Sequence, residues 1–404
     1  MKKVLALILV LLLCLTAFTG CGQTTGDESS APTTTSTPSD TTASSTTDST
    51  ADAGTTTTTN TTGTTAPSAT QNGSTAGTTA PSTSTKAPSK STGNSTTEKT
   101  VVVGPTVTKK TYAITGTMEG ADNPRRDNGR FVYKYSNGQE LAMFIQQPIT
   151  KKYENAPFIV QIQGGGWCAG EIPNLICGVF TSSDVTGLLE SGWALVTLSY
   201  RGVDNGEFLP EILSDIMDGI GFLQLHQKTF HLDCERVIFC GCSAPAHVSL
   251  MMATAPKSLL SKYCVYPITK YKCIGAISIN APAFLYPING QWGFGDEKSD
   301  PYIQPFGSTY EEDPDIRKQY SPATHLSKDS PPLLLFYGTK DDVVDPMHTK
   351  EFAKACEKAG APYTLVEVVN GDHGIQAAEG TTASPTRNEW IKMIMQFATD
   401  CLTK

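Results

Sequence analysis

A serine, a carboxylate and a histidine, far apart in the chain, each stand where a strand ends, and together they are the three residue types of nucleophilic acyl transfer. The serine is Ser243, in Gly241-Cys242-Ser243-Ala244-Pro245, between residues 236–240, which read as a strand, and residues 246–253, which read as a helix. A serine on so tight a strand-to-helix turn is lifted clear of the sheet, near the positive end of the helix, and its small neighbours give the turn room. In isolation it would be no more than a helix cap. A hydroxyl is a weak nucleophile that needs a base, and the base needs an acid to orient it. Downstream, residues 333–337 run into Gly338-Thr339-Lys340-Asp341-Asp342, and residues 363–369 into Asn370-Gly371-Asp372-His373-Gly374. His373 is the one histidine of six placed just after a strand; His226, His231, His247, His325 and His348 read as structural or solvated. The acid is Asp341 or Asp342, because adjacent side chains cannot both face one imidazole. A fourth feature is Gln163-Gly164-Gly165-Gly166-Trp167, where consecutive glycines let the backbone approach a ligand and leave amide donors for an oxyanion.

Such residues meet only if the chain brings several strand ends to one edge. Residues 131–135 and 140–145 flank Ser136-Asn137-Gly138, a hairpin signal because Asn-Gly tolerates positive φ. Short apolar runs follow at 158–163, 193–200, 236–240, 274–280, 333–337 and 363–369, alternating with amphipathic stretches at 184–190, 212–226, 246–253, 347–358 and 389–401. That alternation predicts right-handed β-α-β crossovers and a mostly parallel sheet covered on both faces, with an antiparallel N-terminal pair. In such sheets chemistry collects at the carboxyl ends of the strands.

Composition divides the chain. It has 404 residues, only 39% hydrophobic and 17% charged, because residues 23–100 are almost wholly Thr, Ser, Ala, Gly, Asn and Pro. A stretch so poor in apolar surface cannot offset its chain entropy and is expected to be disordered, spanning on the order of 50 Å. Ahead of it, Lys2 and Lys3 precede an apolar run at 4–18 that stops at Thr19-Gly20-Cys21. This layout is that of a secretory signal, and small residues before a cysteine resemble a bacterial lipobox, in which the cysteine is lipidated. Residues 1–20 are therefore read as a lipoprotein signal peptide, 21–104 as a linker and 105–404 as a catalytic domain, with Cys21 the lipid attachment point. The net charge of −8 argues against a nucleic-acid partner. Among the cysteines, Cys168 with Cys177 and Cys264 with Cys273 have loop-like spacing for disulfides, against the alternative of buried free thiols.

The head resembles an α/β-hydrolase of the carboxylesterase branch that includes hormone-sensitive-lipase-like esterases and bacterial acetyl and feruloyl esterases. The oxyanion motif HGGGW matches Gln163 to Trp167 with Gln in place of His; a YR motif matches Tyr200-Arg201; Phe208-Leu209-Pro210 and Asp215 match the start of the next helix. The elbow GxSAG matches Gly241 to Pro245, with Pro in place of the last glycine, and Asp372-His373-Gly374 matches the terminal histidine motif. Ser321-Pro322, Pro331-Pro332 and Gly338-Thr339-Lys340-Asp341 match the run into the acid strand and align the acid with Asp341. The resemblance implies a three-layer α-β-α fold and a serine esterase with Ser243, Asp341 and His373 as the triad. Gly165, Gly166 and Ala244 would form the oxyanion hole and Trp167 would contact substrate. No metal or organic cofactor is implied. The expected substrate is a short ester, such as an acetyl group on a polysaccharide, met outside the cell by an enzyme tethered to the outer face of the membrane through its lipid, or secreted. Two alternatives share these residues: a catalytically inactive hydrolase head that binds a ligand at the cell surface, and a peptidase or amidase.

Overall fold

The computed structural model describes residues 117–118, 126–127, 130–169, 179–294 and 299–403, all within the unit that spans 103–404. The signal peptide, the linker, Cys21 and Cys177 lie outside the described residues. Ten strands form one sheet: β1 (Thr117–Met118), β2 (Arg126–Asp127), β3 (Arg130–Ser136), β4 (Gln139–Gln146), β5 (Ala156–Ile162), β6 (Ala194–Leu198), β7 (Leu232–Cys242), β8 (Cys273–Ile279), β9 (Leu333–Gly338) and β10 (Tyr363–Val368). Their order is β1-β3-β4-β6-β5-β7-β8-β9-β10, with β2 against β3. From β6 to β10 every pairing is parallel, and the antiparallel pairings are confined to the end that begins the domain. The β3–β4 turn is the Asn-Gly hairpin, with Asn137 at φ 51° and Gly138 at φ 79°.

Five helices of nine residues or more cover this sheet among the described residues: α1 (Ser182–Glu190), α2 (Leu209–Leu225), α3 (Ala244–Thr254), α4 (Met347–Ala359) and α5 (Arg387–Cys401). Side chains alternate across the strands and both faces are buried. On β5, Phe158, Val160 and Ile162 join one cluster with Leu213 and Met217 of α2, whereas Ile159 joins a second with Leu188 of α1 and Trp390 of α5. On β9, Leu333 and Leu335 pack with Leu250 of α3 and Phe352 of α4, while Leu334 and Phe336 turn to the α1 and α5 side. Period-two strands that are apolar on both faces require helices above and below, which makes the architecture a three-layer α-β-α sandwich.

Helix α2 is buried on all sides from Leu209 to Leu223, acidic residues included. Its Asp215 and Asp218 both accept from the fully buried Lys134 Nζ, at 2.7 and 2.6 Å, and Asp215 also takes a two-pronged bond from Arg201. Charges this deep persist only when paired on every side. The proposed bridge between Cys264 and Cys273 is absent: the Cys264 thiol donates to the Ser214 carbonyl and the Cys273 thiol to the Gly275 carbonyl, and the described cysteines are free.

Candidate active site

Because β5, β7, β8, β9 and β10 run parallel, the loops that leave their carboxyl ends emerge along one edge. Those loops carry the glycine run, Ser243, Asn280, Asp341 and His373, in that order.

Ser243 joins β7 directly to α3. Its backbone sits at φ 63°, ψ −130°, a region that costs a residue other than glycine about 1–3 kcal/mol. The turn is held from both sides: the Ser243 amide donates to the Ile279 carbonyl at 2.8 Å, and the Ser243 carbonyl accepts from the amides of Ala246 and His247. Pro245 is the second residue of α3, where its missing N–H breaks no helical bond. The proline packs so closely on Gly241 that a Cβ there would lie 2.4 Å from the Pro245 carbonyl carbon. Proline therefore keeps the elbow intact, provided the residue two before the serine has no side chain.

His373 and Asp341, the expected base and acid, meet. His373 Nδ1 lies 2.9 and 3.0 Å from the two carboxylate oxygens of Asp341, whose side chain is fully buried, whereas the His373 side chain keeps 25% of its exposure. Asp341 Oδ1 also accepts from the amides of Val343 and Val344, at 2.9 and 3.0 Å. A nitrogen facing a carboxylate that already accepts two amides must donate, so Nε2 is left with a free lone pair. Asp342, the other candidate from the sequence, is exposed. No hydrogen bond joins Ser243 to His373 in this structure. The loops that carry Asp341 and His373 approach to the limit of contact: a Cβ on Gly338 would lie 2.3 Å from the Gly371 carbonyl oxygen and 2.4 Å from that of Asp372. The His373 carbonyl itself accepts from Asn280 Nδ2 and from the Cys242 thiol. Burial, with the charges of Asp341 and Asp372 adding to it, pushes that thiol up to about 12, so it stays protonated as a donor.

Gly165 and Gly166 are not hydrogen-bonded through their amides among the described residues, and the Ala244 amide opens α3 as one of its unpaired N-terminal donors. Since β5 and β7 are adjacent and parallel, these donors leave neighbouring strand ends. Gln163, at the head of the glycine loop, is buried.

Trp167 departs from its expected role against substrate. It is 4% exposed and belongs to the core, because its indole N–H donates to His247 Nδ1 at 3.3 Å and its ring meets those of His247 and Tyr302 edge-on. Burial pushes His247 down to about 4, against the opposing bond to the Tyr320 carbonyl, so the ring is neutral: Nε2–H donates to Tyr320 and Nδ1 accepts from Trp167. His247, four residues past Ser243 on α3, thus ties the helix that follows Ser243 to the glycine loop. The sequence hides this, since a histidine on a buried helix face has no motif of its own. Asn280 was equally hidden, appearing only as the polar end of an apolar run.

Comparison with known proteins places this geometry. Esterase LipQ of Mycobacterium tuberculosis is 24% identical over 229 residues, 55% of this chain and 51% of its own length, and Esterase LipC of the same organism is 22% identical over 247 residues, 57% and 56% respectively. The chain spans about half the length of the curated relatives it matches. Among solved structures, a truncated carbohydrate esterase from gut microbiota superposes with a TM-score of 0.54 at 20% identity, over 66% of this chain and 91% of that one. The propionate-bound Est2 esterase of the planctomycete Thermogutta terrifontis gives 0.54 at 18% identity, over 70% and 96%. These likenesses establish the α/β-hydrolase fold. The family model described as BD-FAE matches residues 143–356, which hold Ser243 and Asp341, and a match over more than half of the sequence means that the chain belongs to the BD-FAE family.

Proposed function

We propose that this chain is a serine carboxylic-ester hydrolase that removes short, acetyl-type acyl groups from a polysaccharide or small ester outside the cell. The observation that carries the reading is the Asp341–His373 pair, hydrogen-bonded at the same sheet edge as a serine held in a positive-φ turn. His373 Nε2 takes the Ser243 proton as Oγ bonds to the ester carbonyl carbon, and the amides of Gly165, Gly166 and Ala244 receive the oxyanion. Collapse of the tetrahedral species breaks the ester bond, and His373 returns the proton to the departing alcohol. Water, deprotonated by the same imidazole, then attacks the acyl-serine; the bond to Oγ breaks, the imidazolium returns its proton to Ser243 and the acid is released. The esterase names of the relatives, and the carbohydrate esterase among the structural neighbours, support the ester and the glycan respectively.

The lipobox-like end at Cys21 supports a lipid tether on the outer face of the membrane, with residues 21–104 as the leash. A fluorophosphonate probe tests both halves of the reading. The wild-type chain should be labelled at Ser243 in the membrane fraction, Ser243→Ala should lose labelling and several orders of magnitude of turnover on a chromogenic acetate, and Cys21→Ser should move the labelled protein to the medium. Gln163, where the oxyanion motif has histidine, favours a second reading, a hydrolase-fold surface protein that binds a ligand without turning it over. Failure of the wild-type chain to react would select it. A peptidase or amidase would react but would prefer amide substrates over acetylated polysaccharides.

A further inference from the structure

We propose that Asn280 is a positioning residue of this site, holding the acid-bearing and base-bearing loops in the one arrangement in which Asp341 and His373 meet; the inference rests on the serine-hydrolase reading above. Asn280 is the first residue after β8, is 2% exposed and has φ 50°, in the left-handed region that asparagine tolerates better than other side chains. Its backbone amide donates to the Phe336 carbonyl of β9 at 3.0 Å. Its carboxamide points opposite ends at two different loops. Oδ1 accepts from the Gly338 amide at 3.0 Å, three residues before Asp341, and Nδ2 donates to the carbonyls of Asp372 and His373. The preceding residue, Ile279, accepts the Ser243 amide. Two consecutive residues at the end of β8 therefore touch the segments that carry all three members of the triad.

The chemistry singles out asparagine. Aspartate has the acceptor but, when ionised, no donor for the two carbonyls; leucine has neither; glutamine is a methylene too long. A histidine ring follows the backbone that carries it. Two donors on the His373 carbonyl, Asn280 Nδ2 and the Cys242 thiol, fix that backbone while Oδ1 fixes the loop of its partner. Asn280 touches no reacting atom, so its effect runs through the orientation of the Asp341–His373 pair, and misplacing such a pair slows the reaction on the order of tenfold to a hundredfold.

The test is the rate of fluorophosphonate labelling at Ser243, with kcat and KM for a chromogenic acetate, in a double-mutant cycle. Asn280→Gly removes the carboxamide without straining the left-handed backbone. It should lower the labelling rate and kcat by about tenfold to a hundredfold with KM changed by less than about twofold. In an Asp341→Ala background, where no partner for His373 Nδ1 is left, the same change should cost less than about twofold, whereas a purely structural role would cost the same in both backgrounds. Should thermal melting show Asn280→Gly to be unfolded, Asn280→Asp serves in its place, since it keeps the Gly338 bond and loses the donor. Labelling of a folded Asn280 variant at the wild-type rate, or equal losses in the two backgrounds, overturns this inference alone. A wild-type chain that is never labelled overturns the hydrolase reading and this inference with it.

Discussion

Asp341 accepts three donors, the Val343 and Val344 amides and His373 Nδ1, and these fix which imidazole nitrogen keeps its lone pair and, in the proposed mechanism, acts as base. Asp341→Asn tests it. The asparagine oxygen would keep the two loop amides, which turns its NH2 toward His373 and forces Nδ1 to accept and Nε2 to carry the proton. Such an imidazole cannot take a proton from Ser243, so kcat should fall by about ten-thousandfold with the fold intact. Asp342→Asn, on an exposed neighbour, should leave kcat within about twofold. Steady-state kinetics on a short chromogenic ester, with a melting curve for each variant, separates the two aspartates. At this scale the pairing of His373 with Asp341 was legible from residue types and their order along the chain. Hidden were the residues that act by touching others. His247 and Asn280 have no spacing signature because their partners, Trp167, Gly338 and His373, come from strands brought together only by the sheet.

The elements impose a different demand, that loops from β9 and β10 come close enough for a 2.9 Å bond. Gly338 allows it, since anything larger would meet the Gly371 and Asp372 carbonyls at 2.3 and 2.4 Å, and backbone atoms on both sides leave no flexible side chain to yield. Gly338→Ala should therefore push the acid loop from the histidine loop. The expected outcome is a loss of activity of more than about tenfold, together with a lower melting temperature, measured on the same preparation. Strands and helices were legible from their periodicity because both faces of the sheet are buried, which imposes length and alternation on each run. The burial of β3's Lys134 was not legible. In a strand that reads as alternating, a lysine belongs to solvent, yet Lys134 is enclosed because α2 brings Asp215 and Asp218 over it. Trp167 erred the other way: an aromatic at the end of a glycine loop looks like a ligand contact, and a histidine on α3 draws it into the core instead.

Taken over the whole described unit, the internal histidines set how the fold should respond to acid. His247 and His348 are both fully buried, and burial pushes each down to about 4 from an ordinary 6.5. His348 donates through Nε2 to the Trp292 carbonyl, and its Nδ1 has no hydrogen-bond partner among the described residues, so a proton there would be buried without an acceptor. The unfolded chain, with its histidines near 6.5, binds protons first as pH falls. Each histidine thus contributes stability that is complete above about pH 6.5 and is lost progressively toward pH 4, where the folded form begins to protonate as well. Two such groups on different elements, His247 tying α3 to the glycine loop and His348 opening α4 beside Trp292, should make the melting temperature fall steeply between pH 6.5 and 4.5. His348→Gln can retain a donor for Trp292 without a group that titrates in this range. The variant should therefore start somewhat less stable at pH 7.5 and show a shallower decline, so that the two melting curves converge as pH falls. Parallel declines in the wild-type chain and the variant would mean that His348 is not held neutral by its burial, and that the acid sensitivity of the fold arises elsewhere.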